Sequence, residues 1–396
     1  MTRMQIRPVK FLAGALAGFL FAGSLFNTSL PRNYKMLFTP NYLHTSGSQI
    51  LDVSNQVVGL SGLNWFGFET SNNAPHGLWT RNWQDVLDQI KSEGYNVIRL
   101  PFSNAMLRQD VMPSGIDYQK NPDLIGLTAL QVMDRIVLGA NQRNIKIILD
   151  NHRSTPGAGP ESNGLWYTGD YPESVWIADW KMLAIRYKHI PAVIGVDLRN
   201  EPHNACWGCG APSKDWQLAA EKAGNAVLSV NPNLLIIVEG VSGYNGPYTW
   251  WGGNLMSARD HPVRLNLPHR LVYSAHEYPE TVYPQSWFSD SDYPNNLPAV
   301  WDQYWGYLVR ENIAPVLIGE FGTRYETEKD RQWLHTFQGY IKQNHLSWTF
   351  WSLNPDSGDT GGLLQDDWIT IQQLKQNLLE KIQYPFISPY FHFPNK

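Results

Sequence analysis

With 396 residues, 43% of them apolar, the chain is long enough for one large α/β domain with insertions. Lys+Arg 31 against Asp+Glu 35 leaves a net charge of -4, which excludes the basic surface that nucleic-acid binding requires. A neutral polymer suits such a surface, and Trp 17 with Tyr 19 supplies many flat rings, although most are expected in the core.

The first ten residues carry Arg3, Arg7 and Lys10, and an uncharged stretch follows over 11–26 with small residues at Ala22, Gly23 and Ser24. A basic start, an apolar run and a small-residue cleavage point make residues 1–26 a signal peptide. The rival reading is a membrane anchor over residues 11–30, against which stands a sixteen-residue apolar run that is short for a bilayer. Export implies a secreted or periplasmic protein, and the anchor implies membrane attachment. Residues 27–40 read as a linker.

From residue 49 onward, apolar β-branched runs alternate with amphipathic stretches. The runs cover 58–66, 96–101, 145–151, 193–200, 234–239, 271–276, 315–320 and 346–351. Helical patterns fall at 83–93, 127–142, 174–187, 214–230, 296–312, 331–343 and 369–381, while 245–270 and 277–295 read as long functional loops. Buried parallel strands read as continuous apolar runs. Eight of them in unbroken βα alternation predict an α/β fold, a (β/α)8 TIM barrel of one catalytic domain over 41–385, with a tail at 386–396.

The ends of these runs are polar or aromatic: Asn64 and Trp65, Arg99, Asp150 and His152, Asn200 and Glu201, Glu239, His276 and Tyr278, Glu320, and Trp351. In a barrel all would converge on one mouth. Glu201 in VDLRNEPH and Glu320 in PVLIGEFGT are two carboxylates placed to face each other. Cleavage of a glycosidic bond needs such a pair, one protonated and one ionised. Glu239 and Asp150 also end strands, and Glu239 is expected to be a hydrogen-bonded rim residue. Cys206 and Cys209 are the two cysteines; CxxC spacing fits a redox pair or half a zinc site, but in an exported chain a short disulfide is favoured. No phosphate loop, HExxH or EF-hand spacing occurs, so neither a cofactor nor a metal is expected.

The segments NWFGFET, IKSEGYNVIRLPFS, LVYSAHEY, GEFGT and WTFWSLNPDSGDTGGLL resemble glycoside hydrolase family 5, in particular its bacterial endo-β-1,4-glucanases, over about residues 42–381. The resemblance implies a retaining hydrolase with Glu201 as acid/base on the fourth strand and Glu320 as nucleophile on the seventh. It also implies that Arg99 keeps the nucleophile ionised, that Asn200 binds the sugar 2-hydroxyl, and that His152, His276 and Tyr278 surround the carboxylates. Trp351 resembles the platform beneath the sugar, and Trp79 and Trp251 resemble outer stacking residues. The implied partner is a β-glucan polysaccharide or oligosaccharide, bound by a monomer. Related specificities, mannan or xyloglucan, share the same catalytic set, and a carbohydrate-binding protein on an inactive barrel would have lost a carboxylate that is present here.

The chain departs from the family pattern in three places. Arg199 stands where relatives have His, Glu277 stands where they have Asp, and a second disulfide near the first and third strand ends is absent, so the loops at 71–74 and 154–164 are expected to be looser. With the chain closing at Lys396, weak binding to crystalline cellulose is expected.

Overall fold

The computed structural model describes residues 38–243, 248–388 and 390–392. The signal or anchor segment, most of the linker, residues 245–247 of the first long loop, and Pro389 with the last four residues of the tail lie outside the described residues. Eight parallel strands close a barrel: β1 (Ser61–Asn64), β2 (Val97–Ser103), β3 (Lys146–Arg153), β4 (Val193–Asp197), β5 (Leu235–Glu239), β6 (Leu271–Glu277), β7 (Val316–Phe321) and β8 (Ser347–Phe350). Sequential strands pair in order, and β8 closes onto β1 through Trp348, Thr349 and Phe350 against Ser61, Gly62 and Leu63.

Helices follow seven of these strands and make the outer layer. They are α1 (Trp83–Ser92), α2 (Ala129–Gln142), α3 (Glu173–Arg186), α4 (Trp216–Val230), α5 (Leu297–Trp301), α6 (Tyr307–Arg310), α7 (Glu328–Gln343) and α8 (Gln373–Leu379). Three of their starts follow side-chain chemistry. Asn82 accepts the N–H groups of Gln84 and Asp85, Thr128 forms a reciprocal cap with Gln131, and Thr327 accepts Asp330 N–H. The connection after β5 has a single 3-10 turn, Met256–Ala258, among its described residues.

Two expected helices are cut short or broken. The helix expected over 296–312 is interrupted by a π-helical turn, Asp302–Gly306, between α5 and α6. The Tyr304 carbonyl there accepts Leu255 N–H at 3.1 Å, an outside donor that competes with the helix ladder. The helix expected over 369–381 starts only at Gln373, because the Asp367 carboxylate takes Ile369 N–H and Thr370 N–H in a turn. Within the linker and tail, Phe38–Pro40 pairs antiparallel with Tyr390–His392.

Side chains alternate along each strand, and the inward rows change character from bottom to top. Val97, Ile148, Leu235, Ile237, Val272 and Leu317 form an apolar plug inside the barrel. Two residues further on the same faces carry Arg99, Asp150, Glu239 and Ser274, followed by His152 and His276. On β7 a register shift between Ile318 and Glu320 turns Glu320 into this polar layer. Gly319 leaves the room for it: a Cβ there would lie 2.5 Å from Ser274 Oγ and 3.0 Å from His276 Nε2.

Candidate active site

Arg99 is the centre of the polar layer and is fully buried. Its guanidinium donates from Nε to Asp197 at 2.9 Å, from Nη1 to Glu320 at 2.7 Å and Asn64 at 3.0 Å, and from Nη2 to Glu239 at 2.9 Å and Asn200 at 3.0 Å. Asp150 lies 3.1 Å from Nη1. A buried cation is tolerable only with such partners. Among the described residues, three sets of acidic and imidazole groups have ligand atoms close enough together to hold an ion, and one of them is Asp150, Asp197 and Glu239. The guanidinium already supplies the positive charge that this set would otherwise seek.

Above Arg99 sit the two carboxylates. Oxygens of Glu201 and Glu320 and a ring nitrogen of His276 all lie within 4.8 Å of one another. His276 Nδ1 is 2.9 Å from Glu201 Oε1 and 3.6 Å from Glu320 Oε2, and Tyr278 donates its hydroxyl to Glu320 Oε2 at 2.7 Å. Burial works to raise the Glu320 carboxyl, but His276, Arg99, His152 and the Tyr278 hydrogen bond outweigh it and bring it down to about 2. Burial pushes Glu201 up to about 7, with Glu320 and Glu239 adding to the rise and His276 opposing it. Burial also works against charge on His276, yet Glu239 and Glu320 hold it protonated well above the usual histidine range. One carboxyl is therefore kept as an acid and the other as an anion.

Glu201 adopts a left-handed backbone, φ +45, which for a side chain with a Cβ costs of order 1–3 kcal/mol. Its N–H donates to Glu239 Oε2 at 2.7 Å, and its carbonyl accepts His203 N–H at 2.7 Å. Beside it, the Asn200 amide is oriented by Arg99, which takes Oδ1 and leaves Nδ2 on the cleft side, 3.4 Å from His152 Nε2. His152 is fixed in turn by Asp150 at 2.7 Å and lies flat against Trp351, ring centroids 5.5 Å apart.

The cleft over these groups is about 540 Å³ and is lined by His152, Asn200, Glu201, Tyr278, Glu320 and Trp351, with Trp251 and Tyr248 among its outer residues. Trp251 stacks on His203 at 4.0 Å and is 48% exposed, so its outer face is free for a ligand. Trp79 lies outside this cleft, half-exposed between His76 and Trp368, and connects to Trp351 through His76 and Phe66. A larger hollow of about 710 Å³ lies at the opposite end of the barrel, but Asp52 is the one carboxylate among its described lining residues, so the convergent chemistry belongs to the smaller cleft.

Glu239 departs from the sequence expectation. It is not at the rim but completely buried, bonded to Arg99 and to the Glu201 backbone. Asp197 escapes the sequence reading altogether, although its signal is there: an acid inside the apolar run VIGVDL implies a buried partner. The two substituted positions of the family pattern are packing residues. Arg199 is buried and donates to Asn151 Oδ1 at 2.8 Å and Ser154 Oγ at 3.1 Å. Glu161 accepts the N–H of Ser154 at 2.9 Å, so polar contacts tie down the 154–164 loop that lacks a disulfide. Glu277 accepts Trp250 Nε1–H at 2.9 Å, and burial pushes its carboxyl up to about 8, while Trp250 packs edge-on against Tyr278. Cys206 and Cys209 form a disulfide in the loop after Glu201, and Asp215 accepts Gly208 N–H and Gly210 N–H from the same loop.

Comparison with known proteins agrees with this geometry. The family model described as Cellulase (glycosyl hydrolase family 5) matches residues 51–357. An endoglucanase of Paenibacillus polymyxa is 55% identical over 354 residues, 88% of this chain and 88% of that protein. The major extracellular endoglucanase of Xanthomonas campestris pv. campestris is 44% identical over 352 residues, covering 86% of this chain and 71% of that one. A Pyrococcus horikoshii endocellulase solved with cellotetraose superposes with a TM-score of 0.81 at 42% identity, covering 87% of this chain and 99% of that chain. The polar layer, the paired carboxylates and these likenesses together place the chain in the cellulase family, glycoside hydrolase family 5.

Proposed function

We propose that this chain is an exported, retaining endo-β-1,4-glucanase in which Glu201 is the acid/base and Glu320 the nucleophile. The observation that carries the reading is the close approach of the two carboxylates, with oxygens within 4.8 Å. Retaining enzymes keep their carboxyl groups about 5–5.5 Å apart, whereas inverting ones need about 6.5–9.5 Å to admit a water. In the first step a Glu320 oxygen bonds to the anomeric carbon, the glycosidic C–O bond breaks, and Glu201 gives its proton to the departing oxygen. Glu201 then takes a proton from water, whose oxygen bonds to the anomeric carbon as Glu320 leaves. Tyr278 and Arg99 hold one oxygen each of Glu320, which leaves its lone pairs directed by two donors.

Export rests on the N-terminal pattern and on the extracellular relative. Among the described residues no helix is long and apolar enough to cross a membrane. Membrane attachment through residues 11–30 is the rival to cleavage, and action as a monomer is part of the same proposal.

The acid and the anion set the pH dependence. Glu320 must be ionised, so activity appears as pH rises through about 2; Glu201 must be protonated, so activity falls as pH rises through about 7. A bell-shaped profile of kcat/KM with its alkaline limb near pH 7 is expected. A rate that holds steady far above that value contradicts the assignment.

Endo-cleavage follows from an open cleft with aromatic faces at Trp351 and Trp251 and, further out, Trp79. Stacking tolerates many registers of a uniform chain, so the viscosity of carboxymethylcellulose should fall faster than reducing ends appear. The Asn200 amide favours an equatorial 2-hydroxyl. Mannose, with that hydroxyl axial, leaves the buried amide poorly paired at about 1–3 kcal/mol. Glucan should therefore be preferred over mannan by roughly 10- to 100-fold in kcat/KM. Equal rates on the two polymers would replace the glucanase reading with the mannanase one.

A further inference from the structure

Glu239 does not line the cleft, yet it bonds both Arg99, which holds Glu320, and the backbone of Glu201. Its Oε1 accepts Arg99 Nη2–H at 2.9 Å, and Arg99 in turn holds Glu320. Its Oε2 accepts the Glu201 backbone N–H at 2.7 Å. Oε1 also lies 3.4 Å from His276 Nε2, whose other nitrogen is 2.9 Å from Glu201 Oε1. The end of its strand is pinned as well, since Trp216 Nε1–H donates to the Glu239 carbonyl at 2.8 Å.

The Glu201 backbone needs such a partner. Its left-handed φ is disfavoured for any residue with a Cβ, and relaxing it would swing the side chain away from His276. A carboxylate that accepts the Glu201 N–H holds that peptide in place, and burial strengthens the hold because water cannot substitute. The loop after β5 leaves Glu239 little freedom to move. A Cβ at Gly252 would lie 2.6 Å from Oε2.

We propose that Glu239 is a positioning residue for the acid/base: by accepting the Glu201 N–H it fixes the left-handed backbone that aims the Glu201 carboxyl beside His276 and into the cleft. The inference rests on Glu201 being the acid/base, as proposed above.

Two variants separate the roles of this carboxylate. Glu239→Gln keeps the volume but has one acceptor oxygen, so either the Arg99 or the Glu201 contact becomes donor against donor. Glu239→Asp keeps the charge near Arg99 and His276 but withdraws the oxygens by about 1.5 Å from the Glu201 N–H. Both should lose about 100-fold in kcat/KM on unactivated cello-oligosaccharides, whose leaving group needs the acid, and under about 5-fold on 2,4-dinitrophenyl β-cellobioside, which does not. Both should still be labelled stoichiometrically on Glu320 by the 2-deoxy-2-fluoro analogue of that aryl cellobioside, a step that requires the nucleophile and a folded site. Equal losses on the two substrates, or loss of labelling in both variants, overturn the proposal, because Glu239 would then act through Arg99 or the fold. Glu201→Gln is measured alongside. If it also shows no dependence on the leaving group, the acid/base reading itself fails; if it shows the dependence and the Glu239 variants do not, only the positioning role fails.

Discussion

Replacing Glu320 with Gln is expected to lower kcat/KM by about 10,000-fold or more on every substrate, activated or not. No neighbouring carboxylate can take over the attack. Asp150, Asp197 and Glu239 all lie deeper, completely buried around Arg99, and Glu201 is the carboxyl we propose as the acid. The substituted amide would keep its contact with Arg99 through the carbonyl and lose the anion, so binding should be nearly unchanged while the chemical step fails. The unsubstituted enzyme should release the β-anomer first, as two displacements at one carbon restore the configuration. Proton NMR during early hydrolysis reads this directly. An α-anomer as first product, or a Glu320→Gln enzyme with more than a few per cent of the original activity on an activated aryl cellobioside, would remove Glu320 from the nucleophile's role.

Much of this site is legible in the sequence because chemistry-bearing residues end apolar runs. Counting those runs puts Glu201 on the fourth strand and Glu320 on the seventh; Glu320 lies on β7, whereas β4 ends at Asp197 and Glu201 follows it. Boundaries are less legible. The run at 193–200 yields a strand that stops at Asp197, although Leu198 N–H still bonds the Ile237 carbonyl and Asn200 N–H the Asn151 carbonyl before the left-handed turn at Glu201. The run at 58–66 shortens to Ser61–Asn64, since Val58 N–H pairs with Ile50 outside the barrel instead.

Depth in the barrel is the other blind spot. Glu239 and Asp150 look alike in the sequence, each an acid at the end of an apolar strand, and the rim is the natural expectation for Glu239. Strand stagger decides whether such an acid faces water or Arg99, and stagger depends on closure of all eight strands rather than on any local run. The same closure gathers Asn64, Asp197 and Glu239 on one guanidinium from strands far apart in the chain. Trp79 shows the opposite case. An outer position is foreseeable for it, but its neighbours His76 and Trp368 come from separate loops, and its distance from the cleft is set by their packing.

The second large effect concerns the proton. Glu201→Gln should lower kcat/KM by about 100- to 10,000-fold on cello-oligosaccharides and by far less on 2,4-dinitrophenyl β-cellobioside. An alkoxide leaving group is too basic to depart without a proton, whereas a dinitrophenolate departs as the anion. The amide put in place of the Glu201 carboxyl can still face His276, so the site should keep its shape and its affinity. The pH profile supplies an independent check. Burial holds the Glu201 carboxyl at about 7, so its removal should erase the alkaline limb measured on cello-oligosaccharides, while the requirement for ionised Glu320 persists on the acid side. With activated substrate, turnover of the glycosyl-enzyme then lacks its base, and added azide, which needs none, should restore turnover and release a β-glycosyl azide. Equal losses across leaving groups, an alkaline limb that survives the substitution, or no response to azide would each place the acid/base elsewhere.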